Sequence, residues 1–463
     1  MNDGSANRRL LAGLLATWFV MSPFTKLGLA ASPESARATE RQVTAGPGGR
    51  ILTNVGVWSP DSQWIVYDTR SDPAGDVFDG KRIEMVNIAT REVKTLYESR
   101  HGAHCGVATF HPHQQRVVFI LGPENPTPDW QYGPSHRQGV IVDVAKPGVA
   151  IHLDARDLAA PFTAGALRGG SHVHVWDAGG EWVSFTYNDA RCESDLRDIG
   201  VSVPLRPVRA KKDHPRNHDG SHFSAIVTRT VAQPRPGADE IKRACEEGWV
   251  GSNGYSRADG TRQRRALAFH GHVVTDKGAT VSEGFIVDLP EDLTISGHGP
   301  LEGTETRRPS PSKGTLQRRL TFTADRKYPG LQGPRHWLRS SPDGSRIAFL
   351  MKDDQGIVQL WTVSPNGGKP VQVTRNPWPI ASAFTWKPDG RSIAHVMDNC
   401  VALTELNDGQ TTRLTSRTDD ARAPRPEACV FSPDGRKIAF VRRVMAGERD
   451  YNQVCVLFLE SKL

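Results

Sequence analysis

Short apolar runs recur along almost the whole chain. Clusters of Gly, Pro, Asn, Asp and Ser separate them, and no long stretch holds the 3.6-residue spacing of an amphipathic helix. The pattern is sharpest toward the C-terminus, around Ser341-Pro342-Asp343-Gly344, Lys387-Pro388-Asp389-Gly390 and Ser432-Pro433-Asp434-Gly435. In each copy an apolar run precedes the turn and a second follows it: Ile347-Ala348-Phe349, Ile393-Ala394-His395 and Ile438-Ala439-Phe440. Proline pre-sets φ early in such a turn, and glycine supplies the positive φ that ends it. Two more runs complete each unit, the last ending in Val373-Thr374 or Leu414-Thr415. Four strands at a period of about 45 residues are the signature of a propeller blade.

Weaker copies occupy the first half, at Ser59-Pro60-Asp61-Ser62, His111-Pro112-His113-Gln114 and Asp177-Ala178-Gly179-Gly180. Residues 218–334 are expected to hold one more blade, with strands near 222–231, 265–275, 283–289 and 317–323. Inside it, Asp239-Glu240-Ile241-Lys242-Arg243-Ala244-Cys245-Glu246-Glu247-Gly248 reads as a short helix stopped by glycine. The count reaches seven. Arg41-Gln42-Val43-Thr44 matches the ending of a fourth strand, and the last blade reaches the C-terminus without one. The prediction is an all-β, seven-bladed β-propeller, its ring closed by an N-terminal strand and its fourth blade carrying a helical insertion.

Composition agrees. Gly (44) and Pro (32) are numerous among 463 residues, as many turns require. Arg8-Arg9, an apolar stretch from Leu10 to Met21 and small residues at Gly28, Ala30 and Ala31 read as an export leader. The expected organisation is a signal peptide over 1–30, a linker over 31–40 and one propeller over 41–463, working in the periplasm or secreted. No further apolar run is long enough to span a membrane. The formal charge of +7 suits an acidic ligand, and no basic run is interleaved with aromatics as in a nucleic-acid groove. The six cysteines show no zinc-ligand spacing. Bridges in an oxidising compartment remain open, while Cys400, Cys429 and Cys455 read as buried apolar residues.

Aligning the blades places Asn54, Gly106, His172, Ser382 and Glu427 at the entrance of the innermost strand, with His336 in blade five and His222 in blade four. His104 shares a strand face with Gly106, and His174 with His172. Imidazoles gathered at one channel mouth suit a divalent metal such as manganese or zinc, with His104, His172, His222 and His336 as candidate ligands. They equally suit proton transfer. The long loop of blade two offers Trp130 and Tyr132 for stacking on a sugar, and His136 and Arg137 for a carboxylate. Arg168 and Arg335 flank the histidine positions as candidate anion clamps. His270 and His272 share a strand face, read as an outer, solvated strand of blade four.

The Ser-Pro-Asp-Gly repeats resemble those of TolB-type, WD40-like β-propellers. From about residue 41 the chain resembles the YidR-like family of bacterial propellers. Gly122-Pro123-Glu124-Asn125-Pro126, Gly169-Gly170-Ser171-His172-Val173-His174-Val175, Glu246-Glu247-Gly248-Trp249-Val250-Gly251 and Pro334-Arg335-His336-Trp337 carry that match. More distantly the chain is similar to oligogalacturonate lyase propellers, which hold manganese through blade histidines and a glutamine. Here Gly169 stands where that glutamine is expected. That likeness implies an elimination on an acidic oligosaccharide, with His174 or His222 taking the proton and Arg168 or Arg335 holding the carboxylate. The other expectation is a monomeric, non-enzymatic platform for a protein or ligand of the cell envelope.

Overall fold

The computed structural model describes residues 38–72, 75–191 and 195–460. Among them are seven four-stranded antiparallel sheets, arranged as the blades of a β-propeller. Their first strands are Gly49–Ile51, Cys105–Phe110, Gly169–Trp176, Ala244–Trp249, Arg339–Ser340, Thr385–Trp386 and Pro424–Phe431. These strands lie innermost. Val55, Val107, Val173, Val175, Trp249 and Trp337, contributed by five different blades, meet in one apolar cluster. Apolar side chains thus pack beside the innermost strands, where the sequence suggested a histidine-lined channel.

The ring closes as the sequence suggests. Ala38–Gln42 pairs with Arg449–Leu459, from Ala38 opposite Leu459 to Gln42 opposite Cys455, and forms the outer strand of blade seven. The strand begins inside the stretch expected as a linker. Arg442 fastens it with two hydrogen bonds to the Glu40 carboxylate, at 3.1 and 3.0 Å. Blades one and seven then share a core containing Ile65, Tyr67 and Val86 on one side and Val430, Val441 and Val454 on the other.

The repeated turn has a clear chemical basis. The Ser432 hydroxyl donates to Asp434 (2.5 Å) and accepts from the Lys437 backbone N–H (3.0 Å). Ser341 does the same with Asp343 and Arg346, and Ser59 with Asp61 and Trp64. Each serine thereby satisfies backbone groups that the tight turn leaves unpaired.

Blade four differs from expectation. No helix forms over 239–248; that segment instead ends in the innermost strand Ala244–Trp249, and the described helical structure is one 3-10 turn at Asp420–Arg422. The paired glutamates hid the strand. Its partners are Ala266–Val274, Thr280–Asp288 and Leu316–Arg319. Phe223–Ile226, read as the start of blade four, is the outer strand of blade three. His222 precedes that strand and so stands at the ring's periphery. No helix of the described residues is long and apolar enough to cross a membrane. The leader and Cys192 lie outside the described residues; the other five cysteines are free and buried.

Candidate functional site

Three consecutive innermost strands carry the same irregularity. Register shifts occur between Gly106 and Thr109, His172 and Val175, and Cys245 and Gly248. In each, a non-glycine residue adopts positive φ: Val107 (58°), Val173 (58°) and Glu246 (52°). Such bulges re-aim neighbouring side chains, and a β-branched residue there is strained. The Asp68 carboxylate accepts the Val107 N–H at 3.1 Å and pairs with Arg70 at 2.8 Å, holding the first bulge in place. The bulge also gives His172 and His174 different surroundings, although period-two alternation put them on one face.

His172 is buried beside three arginines. Burial first, then the charges of Arg137, Arg197 and Arg335, push its imidazole well below its ordinary value, so it is neutral at neutral pH. Its Nδ1 is buried without a hydrogen bond. The arginines also disturb one another: burial and then Arg335 lower Arg137, while burial and then Arg243 and Arg137 lower Arg197. One carboxylate, Glu246, answers this charge, 3.0 Å from Arg335. Among the described residues Arg197 and Arg243 have no ion-pair partner, and the Nε of each is buried without a hydrogen bond. An adjoining cavity of about 720 Å³ is lined by Arg197, Arg243, Cys245, Glu246, His270, His272, Arg335, His336 and Lys352, among others.

The blade-two loop brings a second set of rings and guanidinium groups, joined to this cluster through Arg137. Arg70, Phe78, Tyr132 and Arg137 stack in turn: Arg70 4.4 Å from the Phe78 centroid, Phe78 4.7 Å from Tyr132, Arg137 5.0 Å from Tyr132. His104 meets the Tyr132 ring edge-on at 5.9 Å. Burial pushes the Tyr132 phenol up to about 12, so it stays protonated. Trp130 and His136 stack on each other at 3.7 Å, with Arg156 and Arg216 over the indole.

The structure separates the candidates. His104, Tyr132, Arg137, His172 and Arg335 belong to this set and cluster. His174 is fully buried, with Nε2 3.0 Å from the Ser171 hydroxyl, so no ligand reaches it. Arg168 is also fully buried, joined to Asp189 at 2.9 Å and to the Thr304 carbonyl. As a clamp it is spent. His336 lines the cavity, but Nδ1 lies 2.9 Å from the Pro334 carbonyl and Nε2 accepts the Leu350 N–H at 3.0 Å. With both nitrogens occupied, it has no lone pair for a metal. His222, at the edge of blade three, pairs with Ser221 at 2.9 Å. The proposed quartet therefore does not fit one shared ion. Among the described residues no group of three or more His, Cys, Asp or Glu side chains is placed to hold one.

Sequence reasoning missed Arg197, Arg243 and Cys245. Cys245 stands four residues before Trp249, whose indole bonds to the Val175 carbonyl as that of Trp58 does to Val430. Aligning blade four on Trp249 rather than on a Pro-Asp-Gly turn finds it. His270 and His272, expected in solvent, lie on the second strand of blade four and line the cavity.

A family profile described as a protein of unknown function, DUF3748, matches residues 104–218, which span the blade-two loop and His172. The chain is 48% identical over 410 residues to the Escherichia coli (strain K12) protein described as "Uncharacterized protein YidR", covering 87% of this chain and 94% of that one. Among solved structures it is similar to an oligogalacturonate lyase in complex with manganese (TM-score 0.54, 10% identity, 92% of this chain and 94% of that one). It is also similar to an oligogalacturonate lyase from Vibrio parahaemolyticus (TM-score 0.50, 10% identity, 93% and 96%). At that identity the likeness shows a shared fold.

Proposed function

Since the chain belongs to the YidR family of β-propellers, and its arginine-rich mouth stands on a fold shared with oligogalacturonate lyases, we propose that it binds an acidic oligosaccharide and eliminates across a uronic acid unit. The observation that carries this reading is the convergence of Arg137, Arg197 and Arg335 on a neutral, buried His172. Guanidinium groups recognise carboxylates bidentately, and three of them also stabilise charge that develops as the adjacent carbon loses its proton. Bound carboxylate offsets the positive field and raises the imidazole toward the range useful for a base. His172 then takes the proton on the carbon beside the carboxylate, a carbon–carbon double bond forms, and the bond to the departing sugar oxygen breaks. Tyr132, protonated and beside Arg137, is the candidate donor to that oxygen. A metal would acidify the same proton, but the histidines do not fit one, and no step here depends on it. The leader-like N-terminus supports action outside the cytoplasm, which fractionation of cells would test.

The depressed basicity of His172 in the free protein favours a second reading, a platform that holds an acidic oligosaccharide or an acidic envelope protein without turnover. One experiment separates the two. The full chain is incubated with oligogalacturonate while ultraviolet absorbance from an unsaturated uronate is followed, and binding is measured by calorimetry. Elimination predicts new absorbance, lost in His172→Gln with binding retained. Binding without absorbance selects the platform. Absence of both refutes the ligand class.

A further inference from the structure

We propose that the cavity beside the arginine cluster is a second anion subsite, so that the ligand carries at least two acidic groups, one for each. This rests on the functional reading above and adds the ligand's length. The cavity is built mainly by blades four and five, away from the Tyr132 stack, and its volume of about 720 Å³ lies in the range of small-molecule sites. Three of its cations, Arg197, Arg243 and Lys352, have no ion-pair partner among the described residues. Its one lining carboxylate, Glu246, is engaged by Arg335 at 3.0 Å. A second observation points the same way. His270 lines the cavity and is buried; Nδ1 lies 2.8 Å from the Ser282 hydroxyl, and Nε2 is buried with no hydrogen bond. A cation-lined space holding an unfilled polar position suits an anion with hydrogen-bonding oxygens.

Arg197 and Arg335 stand at both places, near Arg137 and His172 on one side and lining the cavity with Arg243 on the other. An acidic chain with one carboxylate among Arg137, Arg197 and Arg335 would thus set its next acidic group toward Arg243 and Lys352. Once the first group binds, the second is captured at high effective concentration, so a short oligomer gains far more affinity than its extra contacts alone confer.

The test uses the full chain and three probes: galacturonic acid, its trimer and inorganic sulfate. Calorimetry is expected to show the trimer binding about tenfold or more tighter than the monomer, as an added charge-assisted contact implies. In the double variant Arg243→Gln/Lys352→Gln the trimer falls to monomer affinity, while the monomer still binds at the first subsite. Circular dichroism and thermal unfolding check that this variant folds. Equal affinity for monomer and trimer in the intact protein, or a trimer advantage that survives in the variant, overturns the second subsite and leaves the first. If neither uronide binds, the functional reading fails by itself and sulfate decides the subsite. Two sulfate sites in the intact protein and one in the variant sustain it; one site in both overturns it.

Discussion

Glu247 is buried in the innermost strand of blade four, where its ionisation opposes the fold. Its side chain is fully covered, one oxygen accepts the Thr186 hydroxyl at 3.0 Å, and the other has no hydrogen bond. Burial, and to a lesser degree Glu246, pushes the carboxyl up to about 7, although Thr186 and the buried Arg339 pull it down. Between pH 4.5 and 7 the folded state therefore holds more protons than the unfolded chain, and stability falls as pH rises through that window. From pH 5 to pH 8 this one group removes about 2.5 kcal/mol. Glu247→Gln is isosteric with the protonated acid, keeps the Thr186 contact and cannot ionise. At pH 5 the variant and the parent should unfold at nearly the same temperature; at pH 8 the variant should unfold roughly 3 °C higher. Other groups tilt the parent's pH curve as well, since Asp154 is raised to about 6 and His270 is lowered to about 3, each chiefly by burial. They are common to both proteins and cancel in the difference. If that difference is the same at pH 5 and pH 8, Glu247 is not the buried, protonated acid described.

Arg156 pins the blade-two loop, since its buried guanidinium donates to the Arg137 carbonyl at 2.5 Å and lies over Trp130. Arg156→Met should weaken uronide binding about threefold to tenfold and alter Trp130 fluorescence, with calorimetry as the check. Gly139→Ala should destabilise by about 1–3 kcal/mol, because a Cβ there would sit 2.6 Å from His174 Nε2 and 2.9 Å from the Asp154 carboxylate. Urea unfolding measures the loss. Deleting the chain through Gln42 removes the outer strand of blade seven. The exposed edge should lower the unfolding temperature and promote self-association, seen by light scattering.

The fold was legible because its turns are local chemistry. Ser341, Asp343 and Gly344 specify their turn among themselves, and the motif marks its blade wherever it recurs. Blade four lacked that mark. Its first strand bears Glu246 and Glu247, one committed to Arg335 and the other buried, so hydrophobic periodicity misread it as a helix. The misplaced His222 follows from the same error, because losing one strand moves every later assignment by one. The strand positions of candidate residues were legible where the blade alignment held, as at His172 in the first strand of blade three. What they touch was not: the occupied nitrogens of His336 and the burial of Arg168 and His174 depend on segments distant in sequence.

The three bulges with positive-φ residues lie on blades two to four, the side of the ring that carries the candidate site. Regular strands would send Val107, Val173 and Glu246 along the ordinary alternation, and each left-handed residue costs roughly 1–3 kcal/mol. That cost is offset by contacts on both sides of each bulge. On one side, Val107, Val173 and Val175 pack with Trp249 and Trp337 into one apolar cluster. Toward the mouth, Asp68 holds the Val107 N–H, and Glu246 reaches Arg335. The strained strands are also those that carry His172 and Cys245 to that mouth, beside arginines contributed by the neighbouring loops. Strain, unanswered charge and an unfilled histidine nitrogen thus coincide on blades two to five, which is the arrangement on which the proposed ligand site rests.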